Sequence, residues 1–351
     1  MTIIIGSILC ALAGVGVGSF LLPLKFSKSW RWENSWLVGA FFMYVVFPLV
    51  GLWLIVPEFS KIFAQTPSRD IWMIYIFGLV QGTGAYVFTY GTTLMGLALG
   101  YALMISCIAL VSTMIPLFGA HIDRVGKLDG ITLLIGAAML IVGFALAGRA
   151  GLAREAGAAD KTENAAERKV SKLLVVVVVL WSGFANALYY FTFEFQKSMK
   201  DIAMQQFNVE PYEWGFLNIV PFFLGMFTVN LILTVVKMAK DGTLKNYWSA
   251  PGLPREYSLG FVIALLWYLG QGVAYPAGQG VLGPLGVAVG AALFMGMIMV
   301  VANIAGIRTG EWKGASRGTI RILYAAIVVL VLAVAVIAAG NYLQQYVFEV
   351  K

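Results

Sequence analysis

The chain has 351 residues, of which 60% are hydrophobic and only 12% are charged, and its formal net charge is +7. Soluble domains carry about 25% charged residues, so this composition excludes an ordinary soluble protein and indicates a membrane protein surrounded by the lipid bilayer. The basic residues stand in short loops between apolar runs, as they do where membrane helices are oriented, and we therefore exclude nucleic acid as a partner.

Ten segments are apolar over the roughly 20 residues that a membrane-spanning helix requires, so the predicted fold is an all-α membrane protein with ten transmembrane helices. The fifth segment is short, and Pro276 interrupts the eighth. In chain order the segments are approximately Ile3–Leu24, Trp36–Val56, Ile71–Leu94, Leu97–Phe118, Gly130–Leu146, Leu173–Phe195, Gly215–Val236, Leu259–Gly280, Gly283–Gly306 and Ile320–Ala339.

The charges between the segments predict the topology. The loops after the first, third, fifth, seventh and ninth segments hold 17 Lys and Arg residues, whereas the opposite side holds 7. By the positive-inside rule the first set faces the cytoplasm, and both termini lie outside it. The longest connection, 148–172, is rich in alanine and charge and is predicted to be a flexible cytoplasmic linker.

An internal repeat lies on either side of this linker. The third segment contains Gln81-Gly82, the eighth contains Gln271-Gly272, and the two glutamines are 190 residues apart. The fourth and ninth segments begin with similar small-residue runs at the same offset. The sequence thus predicts two halves of five helices, 1–147 and 173–351. Because five is odd, the second copy enters the membrane from the opposite side, and such an inverted repeat is typical of secondary transporters.

One acidic residue stands apart from the others. Sixteen of the seventeen acids lie in loops or at helix edges, whereas Glu194 lies among aromatic residues near the outer end of the sixth segment. Ionisable side chains in such places are costly and often carry protons. We therefore predict Glu194 as the proton-coupling residue, the alternative being an interfacial glutamate paired with Lys197.

Uncharged polar side chains inside the segments are candidates for binding a polar solute. An amide offers both hydrogen-bond donors and an acceptor, which suits a hydroxylated ligand. The repeat relates Gln81 and Gln271, and Asn186, Gln279 and Asn303 are similar candidates. The alternative is that these amides join one helix to another, which is a common use of Asn and Gln in membranes.

Aromatic residues cluster beside these amides. A ring can cover the apolar face of a sugar while amides bind its hydroxyls, which is the mixed lining of small-ligand sites. The predicted contributors are Tyr86, Tyr90, Tyr189, Tyr190, Trp267, Tyr268 and Tyr275. The alternative is the interfacial aromatic belt, to which we assign Trp30, Trp32, Trp36, Trp53 and Trp72.

Other features predict packing or exclude other classes of protein. Small-residue spacings predict close helix approach at Gly78, Gly82, Gly96 and Gly100. The single histidine, His121, lies in a loop with Asp123, so neither a metal site nor a cofactor is expected. No segment carries a nucleophile–base pair or an acidic metal cluster, so we do not expect an enzyme.

Residues 23–36 read PLKFSKSWRWENSW, and this basic, tryptophan-rich stretch resembles the L-rhamnose–proton symporter family of the drug/metabolite transporter superfamily. Further similarities follow in order along nearly the whole chain: Phe77-Gly78, Gly82, Gly84, Gly96, Gly100, Asn186, Val209-Glu210-Pro211-Tyr212, Asn230 and Trp267-Tyr268-Leu269. The resemblance implies ten helices, an inverted repeat and proton-driven sugar uptake. The third segment has Ala85, Val87 and Thr93 where the family is more polar, so the expectation extends to related monosaccharides.

The function predicted from the sequence is secondary active transport. A proton drives uptake of L-rhamnose or a related monosaccharide across the bacterial inner membrane by alternating access. The alternative is a metabolite exporter or facilitator of the same superfamily. The expected partners are the sugar, the proton and the lipid bilayer, and a homodimer is an assembly that the sequence leaves open.

Overall fold

The computed structural model describes residues 2–95, 97–159, 172–188, 192–210, 213, 215–282 and 286–344. These residues are mostly helical, and no β-strand occurs among them. Eight helices within these ranges are long and apolar enough to cross a membrane. The protein is therefore a multi-pass helical membrane protein, as the composition indicates.

The apolar segments of the sequence lie in ten helices of the described part. These are α1 (Thr2–Ser19), α2 (Trp32–Ile55), α3 (Ser68–Met95), α4 (Leu97–Ala120), α5 (Leu128–Ala159), α6 (Lys172–Ala187), α7 (Gly215–Asp241), α8 (Leu253–Gly280), α9 (Gly286–Arg308) and α10 (Arg317–Leu343). The eight candidate spans are α2, α3, α5, α7, α8, α9, α10 and α1 with the following short helix Leu22–Phe26. The described apolar runs of α4 and α6, Gly100–Ala109 and Leu173–Asn186, are shorter, so their crossing of the membrane stays a prediction.

Two of the predicted boundaries differ from the structure. Helix α5 continues to Ala159, so the first part of the predicted linker is helical, and 160–171 lie outside the described residues. Contacts made by Arg154 support this extension, because its guanidinium lies 3.5 Å from the Glu311 carboxylate and 5.3 Å from the centre of the Trp312 ring. The sixth segment is shorter than predicted: α6 ends at Ala187, and a separate helix covers Thr192–Phe195.

Helices α2 and α8 each contain a π-helical turn followed by a proline. In α2 the turn is Phe42–Val46 and precedes Pro48, and in α8 it is Tyr268–Ala274 and precedes Pro276. Proline has no N–H and its ring crowds the preceding turn, and a widened turn relieves both effects. Pro276 therefore does not end the helix, and α8 continues to Gly280.

The chain divides into two compact units, and each combines segments from both sides of the predicted linker. The first contains the described residues within Met1–Ser19, Phe88–Phe184 and Val273–Lys351. Small residues allow close helix contacts here: Gly14 of α1 lies against Phe294 of α9, and Gly143 of α5 lies against Leu330 of α10. The predicted sequence halves, 1–147 and 173–351, stay a prediction.

The second unit contains the described residues within Phe20–Val87 and Ala185–Gly272. Gly78 and Gly82 of α3 pack directly against the backbone of α7 at Phe222 and Met226, which confirms the packing predicted for these two glycines. Helices α2 and α8 approach closely in the same way, where Gly39 and Gly260 meet. In the second unit, α3 therefore packs closely on α7, and α2 packs closely on α8.

Candidate functional site

Two of the predicted amides lie together in the second unit. Gln81 of α3 donates its Nε2–H to Oδ1 of Asn186 on α6 at 3.4 Å. The oxygen of the same side-chain amide, Gln81 Oε1, is buried and accepts no hydrogen bond from the described residues. Gly84 permits this approach of α3 to α6, because a Cβ at Gly84 would lie 2.6 Å from the Ala185 side chain. A buried acceptor without a donor is costly, so Gln81 presents an acceptor suited to a ligand hydroxyl.

A third amide of this unit, that of Asn230, has a structural role. Asn230 of α7 accepts a hydrogen bond from the Trp36 indole at 2.9 Å and donates to the carbonyl oxygens of Gly82 and Met226 at 3.1 and 2.8 Å. Both side chains are buried, Trp36 with 1% of its surface exposed. The assignment of Trp36 to the interfacial belt is therefore wrong. Its indole joins α2 to α7 because Asn230 supplies a buried acceptor.

Aromatic rings from α2, α7 and α8 meet in the same unit. Trp267 of α8 lies 5.2 Å from Tyr44 of α2 and 5.4 Å from Phe223 of α7, measured between ring centres. Tyr268 packs on Phe47 of α2 at 5.4 Å, and its buried hydroxyl has no hydrogen-bond partner among the described residues. The aromatic cluster predicted from the sequence thus includes Trp267 and Tyr268, whereas Tyr44 and Phe223 were not predicted.

The two other predicted residues of the second unit are placed differently. Tyr86 packs against Trp32 with ring centres 5.7 Å apart. Gln271 is half-buried in the π-turn of α8. The described contacts include no hydrogen bond between Gln81 and Gln271, so the structure does not join these repeat-related glutamines directly.

Four predicted residues, Tyr90, Tyr275, Gln279 and Asn303, belong to the first unit. Tyr275 stacks on Phe294 at 4.4 Å, and Gln279 donates to the Val287 carbonyl at 3.3 Å. Asn303 donates to Met299 of its own helix at 2.8 Å. Its Oδ1 atom is buried without a partner in the described part of the chain. The ring contact of Tyr275 and the hydrogen bond of Gln279 are those of helix packing.

The side chains of the remaining predicted residues lie outside the described part of the chain. Tyr189 and Tyr190 lie outside the described residues. Glu194 belongs to the helix Thr192–Phe195, and its side chain is also outside the described part. Its neighbour Phe195 packs on Phe77 of α3 at 5.8 Å.

The loop after α1 is bound to the start of α8 by a buried carboxylate. Oε1 of Glu256 accepts hydrogen bonds from the backbone N–H groups of Lys28 and Ser29 at 2.9 and 3.1 Å, and Oε2 accepts from the Ser27 hydroxyl at 2.7 Å. The Ser29 hydroxyl adds a contact of 3.2 Å to Oε1. Several donors on one carboxylate offset the cost of its burial, so this contact fixes the loop on α8.

Aromatic and amide contacts extend this attachment. The Trp30 indole donates to the Asn246 carbonyl at 3.0 Å, and its ring lies between Tyr247 and Tyr257 at 5.1 and 4.7 Å. Asn34 donates to the Thr243 carbonyl at 3.0 Å. Burial, together with the nearby Tyr257 phenol and Glu33 carboxylate, raises the pKa of the Tyr247 phenol. The tryptophan-rich stretch is therefore an anchoring element, and the assignment of buried Trp30 to the interfacial belt is wrong.

Comparison with known proteins identifies the family. A model of the L-rhamnose-proton symport protein (RhaT) family matches residues 1–342, nearly the whole chain. The chain belongs to this family. The resemblance noted from residues 23–36 is thereby confirmed.

Members of the L-rhamnose-proton symport family with curated names are distantly similar to the chain. Proteins named L-rhamnose-proton symporter from Pectobacterium atrosepticum, Cronobacter sakazakii and Escherichia coli are 24%, 27% and 26% identical to it over 92% of this chain and 93% of each relative. No solved structure matches the chain. As a member of the L-rhamnose-proton symport family, the protein is a transporter rather than an enzyme.

Proposed function

We propose that the protein carries L-rhamnose or a related monosaccharide across the bacterial inner membrane together with a proton, by alternating access. The observation that carries this proposal is the match of nearly the whole chain to a family named for L-rhamnose–proton symport, with relatives of that name covered almost end to end. The buried acceptor of Gln81, beside Asn186, supplies chemistry that fits a hydroxylated solute.

The proposed architecture is ten membrane-spanning helices in two inverted five-helix repeats, in the drug/metabolite transporter superfamily. The 190-residue offset between Gln81 and Gln271 supports a duplication. The apolar runs of α4 and α6, added to the eight candidate spans, support the count of ten. The distribution of Lys and Arg supports termini outside the cytoplasm.

The proposed recognition of the sugar is centred on the second unit. Gln81 and Asn186 bind hydroxyl groups, and the rings of Trp267 and Tyr268 cover an apolar face of the sugar. Tyr86 and Gln271 extend this set. The other predicted side chains remain expectations from the sequence alone: Tyr90, Tyr189, Tyr190, Tyr275, Gln279 and Asn303.

Glu194 remains the proton carrier proposed from the sequence. A glutamine at position 194 cannot exchange a proton, so Glu194→Gln is expected to abolish accumulation against a gradient while downhill movement persists. A Glu194→Gln variant that still concentrates the sugar would remove Glu194 from this role.

The function is tested by uptake of labelled monosaccharides into vesicles that contain the purified protein. An inward proton gradient is expected to concentrate L-rhamnose or a close relative, and a protonophore is expected to abolish that accumulation. Protein-free vesicles are the control. Downhill equilibration without accumulation would indicate a facilitator, and failure to move any monosaccharide would refute the assignment of the substrate.

A further inference from the structure

Basic residues are concentrated at one end of the second unit. This end is formed by 20–36, between α1 and α2, and by 237–257, between α7 and α8, and the two segments together contain seven Lys and Arg residues and three acids. The segments at the other end of the same helices, 56–70 and 188–215, contain four Lys and Arg residues and six acids. The positive-inside rule predicts that the basic end faces the cytoplasm.

The three acids of this end leave most of its positive charge uncompensated. Asp241 is shared by two basic side chains, since its Oδ2 atom lies 3.0 Å from Arg31 and 2.8 Å from Lys237. Glu256 is buried and accepts its hydrogen bonds from the loop after α1. Glu33 is buried as well, and its one hydrogen bond comes from a hydroxyl. No exposed carboxylate of these two segments therefore remains for the other basic side chains.

Three of these basic residues, Lys28, Lys245 and Arg255, are brought together by contacts between the two segments, and we call them the basic surface. All three are exposed, and none forms an ion pair in the described part of the chain. Arg255 donates from Nη2 to the Phe26 carbonyl at 2.8 Å, and the backbone N–H of Lys28 is bound by the Glu256 carboxylate. The bond from the Trp30 indole to the Asn246 carbonyl holds the same loop beside Lys245.

Exposed apolar side chains flank the basic surface. Phe26, whose carbonyl binds Arg255, is 53% exposed. Trp248 is 71% exposed and lies one helical turn after Lys245, to whose carbonyl its backbone N–H donates at 3.2 Å. Phe26 ends the first candidate span, and the span of α8 begins at Leu253. The basic surface therefore lies where the membrane-spanning segments end, at the depth of the lipid headgroups, where tryptophan is favoured.

We propose that Lys28, Lys245 and Arg255 bind the headgroup of an acidic phospholipid, with Phe26 and Trp248 against its glycerol and the upper part of its acyl chains. Basic side chains at the membrane surface attract anionic lipids, and a guanidinium has several N–H donors for a phosphate, of which Arg255 uses one on Phe26. A zwitterionic lipid carries its own positive charge and is not favoured. This inference goes beyond the proposed function and does not depend on the transported solute.

The test measures lipid binding to the full-length protein purified in detergent, by native mass spectrometry. Phosphatidylglycerol and phosphatidylcholine with the same acyl chains are titrated separately. Because each Lys or Arg near the membrane surface contributes to the attraction of anionic lipid, phosphatidylglycerol is expected to bind at least about tenfold more tightly than phosphatidylcholine. Glu256, which fixes the loop after α1, stays unchanged in every variant.

Matched double variants locate the binding. The first combines Lys28→Gln with Lys245→Gln and is expected to weaken phosphatidylglycerol binding about tenfold while phosphatidylcholine binding stays within about twofold. The control combines Lys61→Gln with Arg69→Gln, which removes two exposed positive charges from the other end of the unit and is expected to keep the preference of the unmodified protein. Equal affinities for the two lipids in the unmodified protein overturn the proposal. So does an equal loss in both double variants, because net charge rather than the basic surface would then bind the lipid.

Two measurements on the unmodified protein keep the proposal falsifiable if a double variant does not fold. Phosphatidylglycerol is expected to raise the unfolding temperature, because it binds the folded protein, and this rise is expected to shrink as sodium chloride is increased. A rise that does not depend on salt overturns the proposal. Glycerol phosphate, which has the phosphate but no acyl chains, is expected to give no rise at the same concentration. A rise equal to that with phosphatidylglycerol would show a site for soluble phosphate and would also overturn the proposal.

Discussion

The indole N–H of Trp36 donates a hydrogen bond of 2.9 Å to Oδ1 of Asn230, and both side chains are buried. This bond joins α2 to α7, and the Asn230 amide continues to the Gly82 carbonyl of α3 at 3.1 Å. Three helices of the second unit are therefore connected through one asparagine. Inside a low-dielectric environment a complete network of this kind stabilises a single arrangement of the helices.

Trp36→Phe is expected to lower the free energy of unfolding by about 1–3 kcal/mol, because it leaves Asn230 Oδ1 buried without a donor. Thermal unfolding of the purified protein in one detergent measures the change. Trp53→Phe is the control, since Trp53 is 65% exposed and makes no comparable contact in the described structure. Equal unfolding temperatures for the two variants would contradict the role given to the Trp36–Asn230 bond.

Gly78→Ala is expected to destabilise the protein by about 1–3 kcal/mol, because the added Cβ would overlap the Phe222 carbonyl oxygen where α3 crosses α7. The matched control is Gly280→Ala, where an added Cβ meets nothing within 4 Å. Denaturation followed by circular dichroism compares the two variants. A loss of stability in Gly280→Ala as large as that in Gly78→Ala would show that the close approach is not the cause.

Glu256→Gln is expected to cost about 1.5–3 kcal/mol of stability, because a neutral amide has one acceptor oxygen for donors that now bind a carboxylate. The loop after α1 should also become accessible, and limited proteolysis near Lys25 and Lys28 detects this opening. Glu58→Gln, an exposed acid, is expected to stay within about 0.5 kcal/mol. Unchanged proteolysis of Glu256→Gln would contradict the anchoring role of this carboxylate.

Features that depend on hydropathy and residue size could be predicted from the sequence. Each of the eight candidate spans overlaps one predicted segment, because a membrane helix must be apolar over most of its length. The contacts of Gly78 and Gly82 followed from their four-residue spacing, since one helix face must then be small. The hydrogen bond between Gln81 and Asn186 joins two amides that were each predicted to bind a solute or another helix.

Features that depend on tertiary partners could not be predicted. Trp36 stands at a segment end like an interfacial tryptophan, and only the buried acceptor of Asn230 shows that it faces inward. Charged residues such as Arg154 led to the prediction of a linker at the end of α5. The contacts of Arg154 with Glu311 and Trp312 instead support the helix there. The apolar sequence around Tyr44 does not show whether its ring packs against Trp267 or faces lipid.

Gln81→Leu is expected to raise the KM for sugar uptake about tenfold with little change in the maximal rate. The leucine removes an acceptor that has no other partner in the described structure, and a hydrogen bond to a ligand hydroxyl contributes on the order of 1 kcal/mol or more. Initial rates of labelled L-rhamnose uptake across a range of sugar concentrations measure both constants.

The control for this prediction is Gln205→Leu, which changes an exposed glutamine in the helix Lys197–Gln206 in the same chemical way. Unfolding temperatures of both variants must match that of the unmodified protein, because Gln81 also bonds Asn186 and could affect helix packing. With folding intact, an unchanged KM in Gln81→Leu would show that this amide joins helices and does not bind the sugar. If the Gln81 amide contacts a sugar hydroxyl, the unmodified protein should discriminate against a deoxy-sugar that lacks this hydroxyl. The Gln81→Leu variant should not discriminate between the two sugars in this way.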